Sequence, residues 1–386
     1  MKKKSYKTKI LITYGTRPEA IKLAPLIIKL IQSKKFLIKI CLTAQHRHLV
    51  DQVNQHFKLI PDYDLNIMTF DQTLDNLTSK IILSFGEVLD NFRPSLVILH
   101  GDTTTTFASA LACFYRKIEI AHVEAGLRTN DKFSPFPEEF NRFCTSYLSK
   151  WHFAPTKQSK QNLINEKVPS TNIIVTGNTI VDAVNMNIKI IKNDKSLKTK
   201  LEQNISKDFT GFLTPKKFIV ITCHRRENSG KNFDKIIKII LSISKKYKDF
   251  NFVFLKHLNP NVQPENFLNK NKPKNLFIIK PMIYHQFLWL LYKSHLIITD
   301  SGGIQEEALT LKKPIFIMRK KSERPEAIEA GNAKLVGTNE LLIMSYLNKL
   351  LYDRNIYNKF ISNKNPFGNG QASDKIFNFL RKKYVK

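Results

Sequence analysis

Carboxylates, cations and glycines recur in this chain at one kind of place, directly after a short apolar run. The run ending at Tyr14 leads into Gly15-Thr16-Arg17-Pro18-Glu19-Ala20-Ile21-Lys22. Gly15 permits a tight turn and Pro18 suits a first helical turn, so Arg17 and Lys22 bring two cations to a helix N-terminus, which fits a phosphate or nucleotide. A later run ends at His100-Gly101-Asp102, followed by four threonines, Thr103 to Thr106. Threonines in succession suit a cap and first turn, where hydroxyls meet free N–H groups, so Asp102 is either an N-cap or a carboxylate facing a cleft. Glu124 follows Ala121-His122-Val123 and precedes Gly126. Partial desolvation there raises a carboxyl toward the range useful in general acid/base work. Ser134-Pro135-Phe136-Pro137 then opens a helix with Glu138 and Glu139, whose plainer role is to complement the helix dipole.

The second half repeats the pattern. Thr222-Cys223-His224-Arg225-Arg226 gathers one histidine and two arginines at a strand end, suited to a pyrophosphate or a leaving group. Thr299-Asp300-Ser301-Gly302-Gly303 runs into an amphipathic helix, presenting bare N–H groups to a phosphate, with Glu307 one turn on and placed to reach ribose hydroxyls. Arg324, before Pro325, adds a cation on the same side. The glycine spacing is not that of a dinucleotide fingerprint, no phosphate-binding GxxxxGK[ST] loop occurs, and no His/Cys or Asp/Glu set has metal-ligand spacing, so neither cofactor nor metal is expected.

These residues need strands to carry them. Apolar runs occur at Lys9 to Tyr14, Leu37 to Leu42, Leu96 to Leu99, Ile118 to Val123, His152 to Ala154 and Ile173 to Thr176. They resume at Phe218 to Thr222, Phe252 to Leu255, Leu276 to Ile279, Leu296 to Thr299, Pro314 to Met318 and Leu335 to Val336, with amphipathic stretches between. Strands apolar on both faces and separated by helices indicate parallel sheets covered on both sides. In such sheets ligands sit beyond the carboxyl ends of the strands, where the polar motifs lie. The fold expected is α/β, with two doubly wound Rossmann-like domains. The first spans 1–195, the second spans 196–365, and a final helix within 366–386 packs back on the first. The polar stretch from Asn193 to Lys217, closed by Thr214-Pro215, marks the boundary.

Two domains also suit 386 residues, of which 42% are hydrophobic and 24% charged. The net charge of +30 raises the question of a polyanion partner. Of the 62 basic residues only 12 are arginine, and the lysines are scattered, whereas a nucleic-acid reader is expected to use arginine for base contacts. A basic surface, with no nucleic acid and no membrane partner, follows. Cys41, Cys113, Cys144 and Cys223 lie among apolar neighbours without ligand spacing and are expected to be buried thiols. The start of the chain reads as a first strand rather than a leader, and no apolar run approaches the roughly 20 residues of a membrane span, which implies a soluble, cytoplasmic protein.

In order along the chain, GTRPEAIKLAPL, TAQHRHLVDQV, HGDTTTTFASALA, HVEAGLRT, SPFPEEFNR, TGNTIVDA, HRREN, DSGGIQEEA and RPEAIEAGNAKLVGT closely resemble segments of the non-hydrolysing UDP-N-acetylglucosamine 2-epimerases. The resemblance implies a GT-B-like fold with the active site in the cleft between two Rossmann-like domains. It also implies a homodimer, a UDP-sugar substrate, no cofactor, and a product used for surface polysaccharides. The C2 proton of the sugar is not acidic, and members of the family eliminate UDP to an enzyme-bound 2-acetamidoglucal, then add it back with the proton delivered to the other face. The resemblance assigns proton transfer to Asp102, Glu124 and Glu138, and the leaving diphosphate to His224. Arg17, Lys22, Arg225, Phe287, Ser301, Gly302, Gly303, Glu307 and Arg324 match positions that hold the nucleotide. Met282 stands near the uracil where some members have Gln, so changed contacts are expected there. Gln45 and His46 match a segment that in some members binds a second UDP-sugar as activator. The alternatives are a sister epimerase acting on a modified UDP-sugar such as a diacetamido-uronate, a hydrolysing epimerase, and a basic nucleic-acid-binding protein.

Overall fold

The computed structural model describes residues 7–45, 47–69, 72–214, 217–223, 225, 228, 230–256, 272–320, 322 and 324–385. The chain divides into two compact units, one of residues 1–183 and 367–386, the other of residues 184–366. Both are doubly wound α/β, as the strand pattern leads one to expect.

In the N-terminal unit the strands are β1 (Lys9–Tyr14), β2 (Leu37–Leu42), β3 (Tyr63–Asp64), β4 (Leu96–His100), β5 (Glu119–Val123), β6 (Trp151–Ala154) and β7 (Ile173–Val175). All pair in parallel, in the order β3-β2-β1-β4-β5-β6-β7. The intervening helices are α1 (Arg17–Ser33), α2 (Arg47–Phe57), α3 (Leu74–Phe92), α4 (Thr104–Tyr115), α5 (Glu138–Leu148) and α6 (Lys157–Asn165), and α7 (Thr179–Asn193) follows β7, with its residues from Val184 onward counted in the other unit. Strand order reverses between β1 and β4, so the loops leaving these two strands part to opposite faces and open a crevice at their carboxyl ends. Leu11, Val97, Leu99, Phe85, Ile81 and Ala108 form part of the core beneath one face.

In the C-terminal unit the order is β10-β9-β8-β11-β12-β13. Its strands are β8 (Phe218–Thr222), β9 (Asn251–Leu255), β10 (Leu276–Ile279), β11 (Leu296–Thr299), β12 (Ile315–Ile317) and β13 (Ala333–Leu335). Here the reversal falls between β8 and β11. After the part of α7 that belongs to this unit comes helix α8 (Lys195–Asp208), and α9 (Lys231–Lys246) follows β8. Along α9, Phe233, Ile236, Ile237, Ile240 and Ile243 are buried at helical spacing, the amphipathic stripe that covers a sheet. Then come α10 (Tyr284–Lys293), α11 (Gly302–Thr310), α12 (Pro325–Glu329), α13 (Glu340–Tyr352) and α14 (Arg354–Ser362). The last helix, α15 (Ala372–Tyr384), belongs to the N-terminal unit. Asp182 accepts the N–H groups of Ala372 (3.2 Å) and Ser373 (2.9 Å) at its start, while Phe377 meets Phe36 and Phe379 meets Trp151 edge to face.

The polar stretch after Asn193 folds as helix α8, capped by the Asp194 carboxylate and anchored by Leu201 and Ile205 one turn apart. Two details differ from expectation. Strand β3 is two residues long and has no apolar run to betray it. Cys41, Cys113 and Cys223 are buried, but Cys144 is half-buried, because α5 turns that side chain partly away from its packed face.

Two histidines lie in the heart of the N-terminal sheet. His122 and His152 are register partners on β5 and β6 and almost inaccessible. Burial pushes the His122 ring down from 6.5 to about 3 and the His152 ring down to about 4. Both folded values lie below the unfolded one, so as pH falls the unfolded chain binds protons that the folded chain refuses. Their contribution is intact above about pH 6.5 and is lost as pH falls toward 4 and then 3, at roughly 1 kcal/mol per pH unit for each ring. Denaturation midpoints measured from pH 7 to pH 4 are expected to decline, and to decline less steeply in His122→Gln.

Candidate functional site

In the N-terminal unit, β1, β4 and β5 are neighbours, and their carboxyl ends bring the first group of polar motifs together. Arg17 is the first residue of α1 and half-buried, and Lys22, farther along the same helix, is buried. Lys22 Nζ donates to Glu124 Oε2 at 2.5 Å, across 102 residues of sequence. Asn178 Nδ2 donates to the same oxygen at 2.7 Å, and His100 Nε2 stands 3.9 Å from it. Glu124 itself has φ of 67°, a left-handed conformation that costs a non-glycine residue about 1 kcal/mol or more. The Phe153 carbonyl holds it there by accepting the N–H groups of Glu124 (3.1 Å) and Ala125 (3.2 Å). Gly126, at φ 87°, completes the turn, and a Cβ there would lie 2.2 Å from the Ser159 carbonyl oxygen. A strained, charge-paired carboxylate at a strand end is therefore built in by the surrounding structure.

Asp102 follows β4 through Gly101, whose φ is 72°. It is not the helix cap. Thr103 is the N-cap of α4, its hydroxyl oxygen accepting the Thr106 N–H, so the Asp102 carboxylate is not used as the cap. Arg142 grips Asp102 Oδ2 with Nε at 2.9 Å and Nη2 at 2.7 Å, and reaches Glu139 Oε2 with Nη1 at 2.9 Å. Glu139 is more than a first-turn acid, because its Oε1 accepts the N–H groups of Thr129 and Asn130 and ties down the loop after β5. Glu138 behaves differently. Its Oε2 is buried without a hydrogen-bond partner among the described residues, a costly state for a carboxylate oxygen unless something else occupies the space before it. Gln45 accepts the Thr105 hydroxyl at 3.0 Å, beside Gly15, whose missing Cβ leaves room for the Thr43 and Thr105 hydroxyls.

In the C-terminal unit the second group lies beyond β8, β10 and β11. Asp300 is fully buried, and its Oδ2 accepts the Arg225 N–H and the Asn228 side-chain amide, both at 2.9 Å, tying the loop after β8 to the start of the loop after β11. Ser301 is the N-cap of α11 but its side chain makes no capping bond, so the first-turn N–H groups at Gly302 and Gly303 keep their donors for another acceptor. A Cβ at Gly303 would meet nothing within 4 Å, so the protein itself leaves open space over this helix start. Glu307 is buried on the same helix. Arg324 is less free than expected, since its Nε donates to the buried Glu306 Oε1 at 2.6 Å. Met282 and Phe287 follow β10 and are half-buried, Phe287 in the first turn of α10. His224 and His46 lie outside the described residues.

Residues missed at the level of sequence are the partners of those singled out. Arg142 was visible as a cation one turn after Glu138 and Glu139. Asn178 and Glu306 gave no local signal, since neither the 54 residues separating Asn178 from Glu124 nor the 18 between Glu306 and Arg324 suggest a contact.

Comparison with known proteins gives these sites a context. The family model described as UDP-N-acetylglucosamine 2-epimerase matches residues 29–381. A UDP-N-acetylglucosamine 2-epimerase of Neisseria meningitidis is 46% identical over 374 residues, covering 97% of this chain and 99% of its own. One from Campylobacter jejuni is 47% identical over 376 residues, covering 97% of each. The crystal structure of a Neisseria meningitidis UDP-GlcNAc 2-epimerase bound to UDP-GlcNAc superposes with a TM-score of 0.89 at 47% identity, covering 97% of this chain and all of the other.

Proposed function

The chain belongs to the UDP-N-acetylglucosamine 2-epimerase family, and from that membership we propose how its own residues carry out the reaction. It interconverts UDP-N-acetylglucosamine and UDP-N-acetylmannosamine. The observation that carries the chemistry is the pair of carboxylates at the ends of the adjacent strands β4 and β5, Asp102 gripped by Arg142 and Glu124 gripped by Lys22.

In the forward direction the C1–O bond to UDP breaks and the C2 proton passes to a carboxylate, leaving a C1–C2 double bond in 2-acetamidoglucal. In return, the diphosphate oxygen re-forms the bond to C1 while a proton is delivered to the opposite face of C2. Two carboxylates serve this better than one, because removal and return occur on different faces. Asp102, Glu124 and Glu138 are assigned these transfers. The unpartnered, buried Oε2 of Glu138 supports its inclusion, since a substrate hydroxyl or proton would satisfy it. Departing UDP carries charge, and cations and uncapped helix donors lower the cost of its developing. Lys22 and Arg17 in the N-terminal unit, and the start of α11 with Arg225 and Arg324 in the C-terminal unit, are assigned to the nucleotide, with Glu307 on the ribose and Met282 and Phe287 near the base. His224 is assigned to the leaving diphosphate, and Gln45 and His46 to an activating second nucleotide sugar. Incubation with UDP-N-acetylglucosamine, followed by anion-exchange separation, is expected to give an equilibrium mixture with UDP-N-acetylmannosamine. Free N-acetylmannosamine would instead mark a hydrolysing enzyme, and an unchanged substrate would mark one acting on a modified sugar.

Among the described residues no helix is long and apolar enough to cross a membrane. We place the enzyme in the cytoplasm, in keeping with four cysteines that are all free thiols. A homodimer is also proposed. Phe140, Phe143 and Tyr147 form a stripe down α5 and are half or more exposed, with Phe114 and Tyr115 exposed at the end of α4. Large aromatics grouped on a surface mark an interaction face. Light scattering is expected to report about twice the 44.8 kDa chain mass, and the double variant Phe143→Glu with Tyr147→Glu is expected to shift it toward the single-chain value.

A further inference from the structure

Glu19 is a carboxylate beside the crevice that accepts from four donors, and the proton-transfer chemistry makes no use of it. It sits in the first turn of α1 and is 3% exposed. Its Oε2 accepts the N–H groups of Gly15 (2.9 Å) and Thr16 (2.7 Å) in the loop after β1. Its Oε1 accepts the hydroxyls of Thr103 (2.6 Å), at the end of the loop after β4, and Thr106 (3.0 Å), in the first turn of α4. The Thr106 hydroxyl is also 2.7 Å from the His100 carbonyl oxygen, where β4 ends. Burial pushes the Glu19 carboxyl above the usual carboxylate range, so the position is expensive and is sustained by these donors.

A carboxylate that merely completed the N-terminus of its own helix would need only the first pair of bonds. The second pair crosses to a segment more than 80 residues away, at the point where strand order reverses and the loops of β1 and β4 diverge. Nothing in the parallel pairing of these strands, which runs Ile10 with Leu96 through Ile12 with Ile98, fixes the loops beyond their ends. Glu19 does so, and the residue it grips, Thr103, is bonded directly to Asp102.

We propose that Glu19 is a positioning residue for the reaction, a carboxylate staple across the β1/β4 crevice that holds Asp102 in register with the helix carrying Arg17 and Lys22. This rests on the part assigned to Asp102 in epimerisation. Misplacing a reacting group by about 1 Å can cost roughly 100-fold in rate. Glu19→Ala is therefore expected to lower kcat by about 30- to 100-fold in the otherwise unchanged enzyme, but by less than about threefold in an Asp102→Asn background, where there is no carboxylate left to misplace. Glu19→Gln keeps the shape and one acceptor oxygen and is expected to fall between Glu19→Ala and the parent, so it also serves if the alanine variant folds poorly. Equal losses in both backgrounds would overturn the proposal. Amide hydrogen exchange tests the staple without reference to activity. Exchange in residues 101–106 is expected to accelerate at least tenfold together with that of Gly15 and Thr16 in Glu19→Ala, and to accelerate by a smaller factor in Glu19→Gln. Acceleration confined to residues 15–20 would reduce Glu19 to a helix cap and refute the proposal. If the parent enzyme fails to epimerise UDP-N-acetylglucosamine, the functional reading falls, while the exchange pattern still decides whether the staple exists.

Discussion

Asp102→Asn is expected to lower kcat for epimerisation of UDP-N-acetylglucosamine by roughly 1,000-fold while leaving the affinity for UDP within about twofold. Asparagine has the same size and keeps an oxygen with which to accept from Arg142, so the fork at Asp102 survives in outline. What it loses is the ability to hold a proton. The carboxylate is not spent on the helix start: it does not cap α4, because Thr103 does. Initial rates by proton NMR and UDP titration by calorimetry separate the two effects. Turnover near that of the parent would remove Asp102 from proton transfer.

Glu124→Gln is expected to have a comparable effect on rate, about 100- to 1,000-fold, with an added effect on stability that Asp102→Asn lacks. Lys22 and Glu124 are both largely buried, with side chains 10% and 7% exposed. Neutralising one partner leaves an ammonium in a poorly hydrated place, which costs up to about 3 kcal/mol. Both Lys22 and Asn178 donate to the one oxygen, Oε2, and a glutamine oxygen has the two lone pairs to accept them, so what the amide loses is the charge. Because UDP is assigned to Lys22, the diphosphate would supply the missing negative charge. Thermal unfolding is therefore expected to show a lower midpoint for Glu124→Gln, and a larger upward shift with UDP than in the parent. An unchanged midpoint, or full activity, would contradict the role given to this pair.

Much of the fold was legible because parallel strands covered on both faces are apolar throughout. The runs at Lys9 to Tyr14, Leu37 to Leu42, Phe218 to Thr222, Leu276 to Ile279 and Leu296 to Thr299 coincide with β1, β2, β8, β10 and β11. Strand β3 escaped because two residues extending an edge carry no periodicity, and α8 escaped because its polar face dominates a helix that buries only Leu201 and Ile205. The positions of the polar residues were equally legible, since the carboxyl ends of such strands are where a doubly wound sheet presents side chains. Their partners were not. Lys22 meets Glu124 and Glu19 meets Thr103 across distances in sequence that only the order of the strands closes. Desolvation, the reason first given for Glu124, also told only part of its state, because the Lys22 ammonium brings a positive charge that local sequence could not supply. The overall charge of +30 said least, since the cations that matter, Lys22, Arg142 and Arg324, are held by carboxylates of this same chain.

The most direct test of proton transfer at C2 is proton NMR of UDP-N-acetylglucosamine with the enzyme in D2O. Elimination and re-addition through Asp102, Glu124 and Glu138 predict deuterium at C2 of the UDP-N-acetylmannosamine formed, and its gradual appearance at C2 of the remaining substrate, with no free sugar accumulating. Product that keeps the original C2 hydrogen would contradict that chemistry.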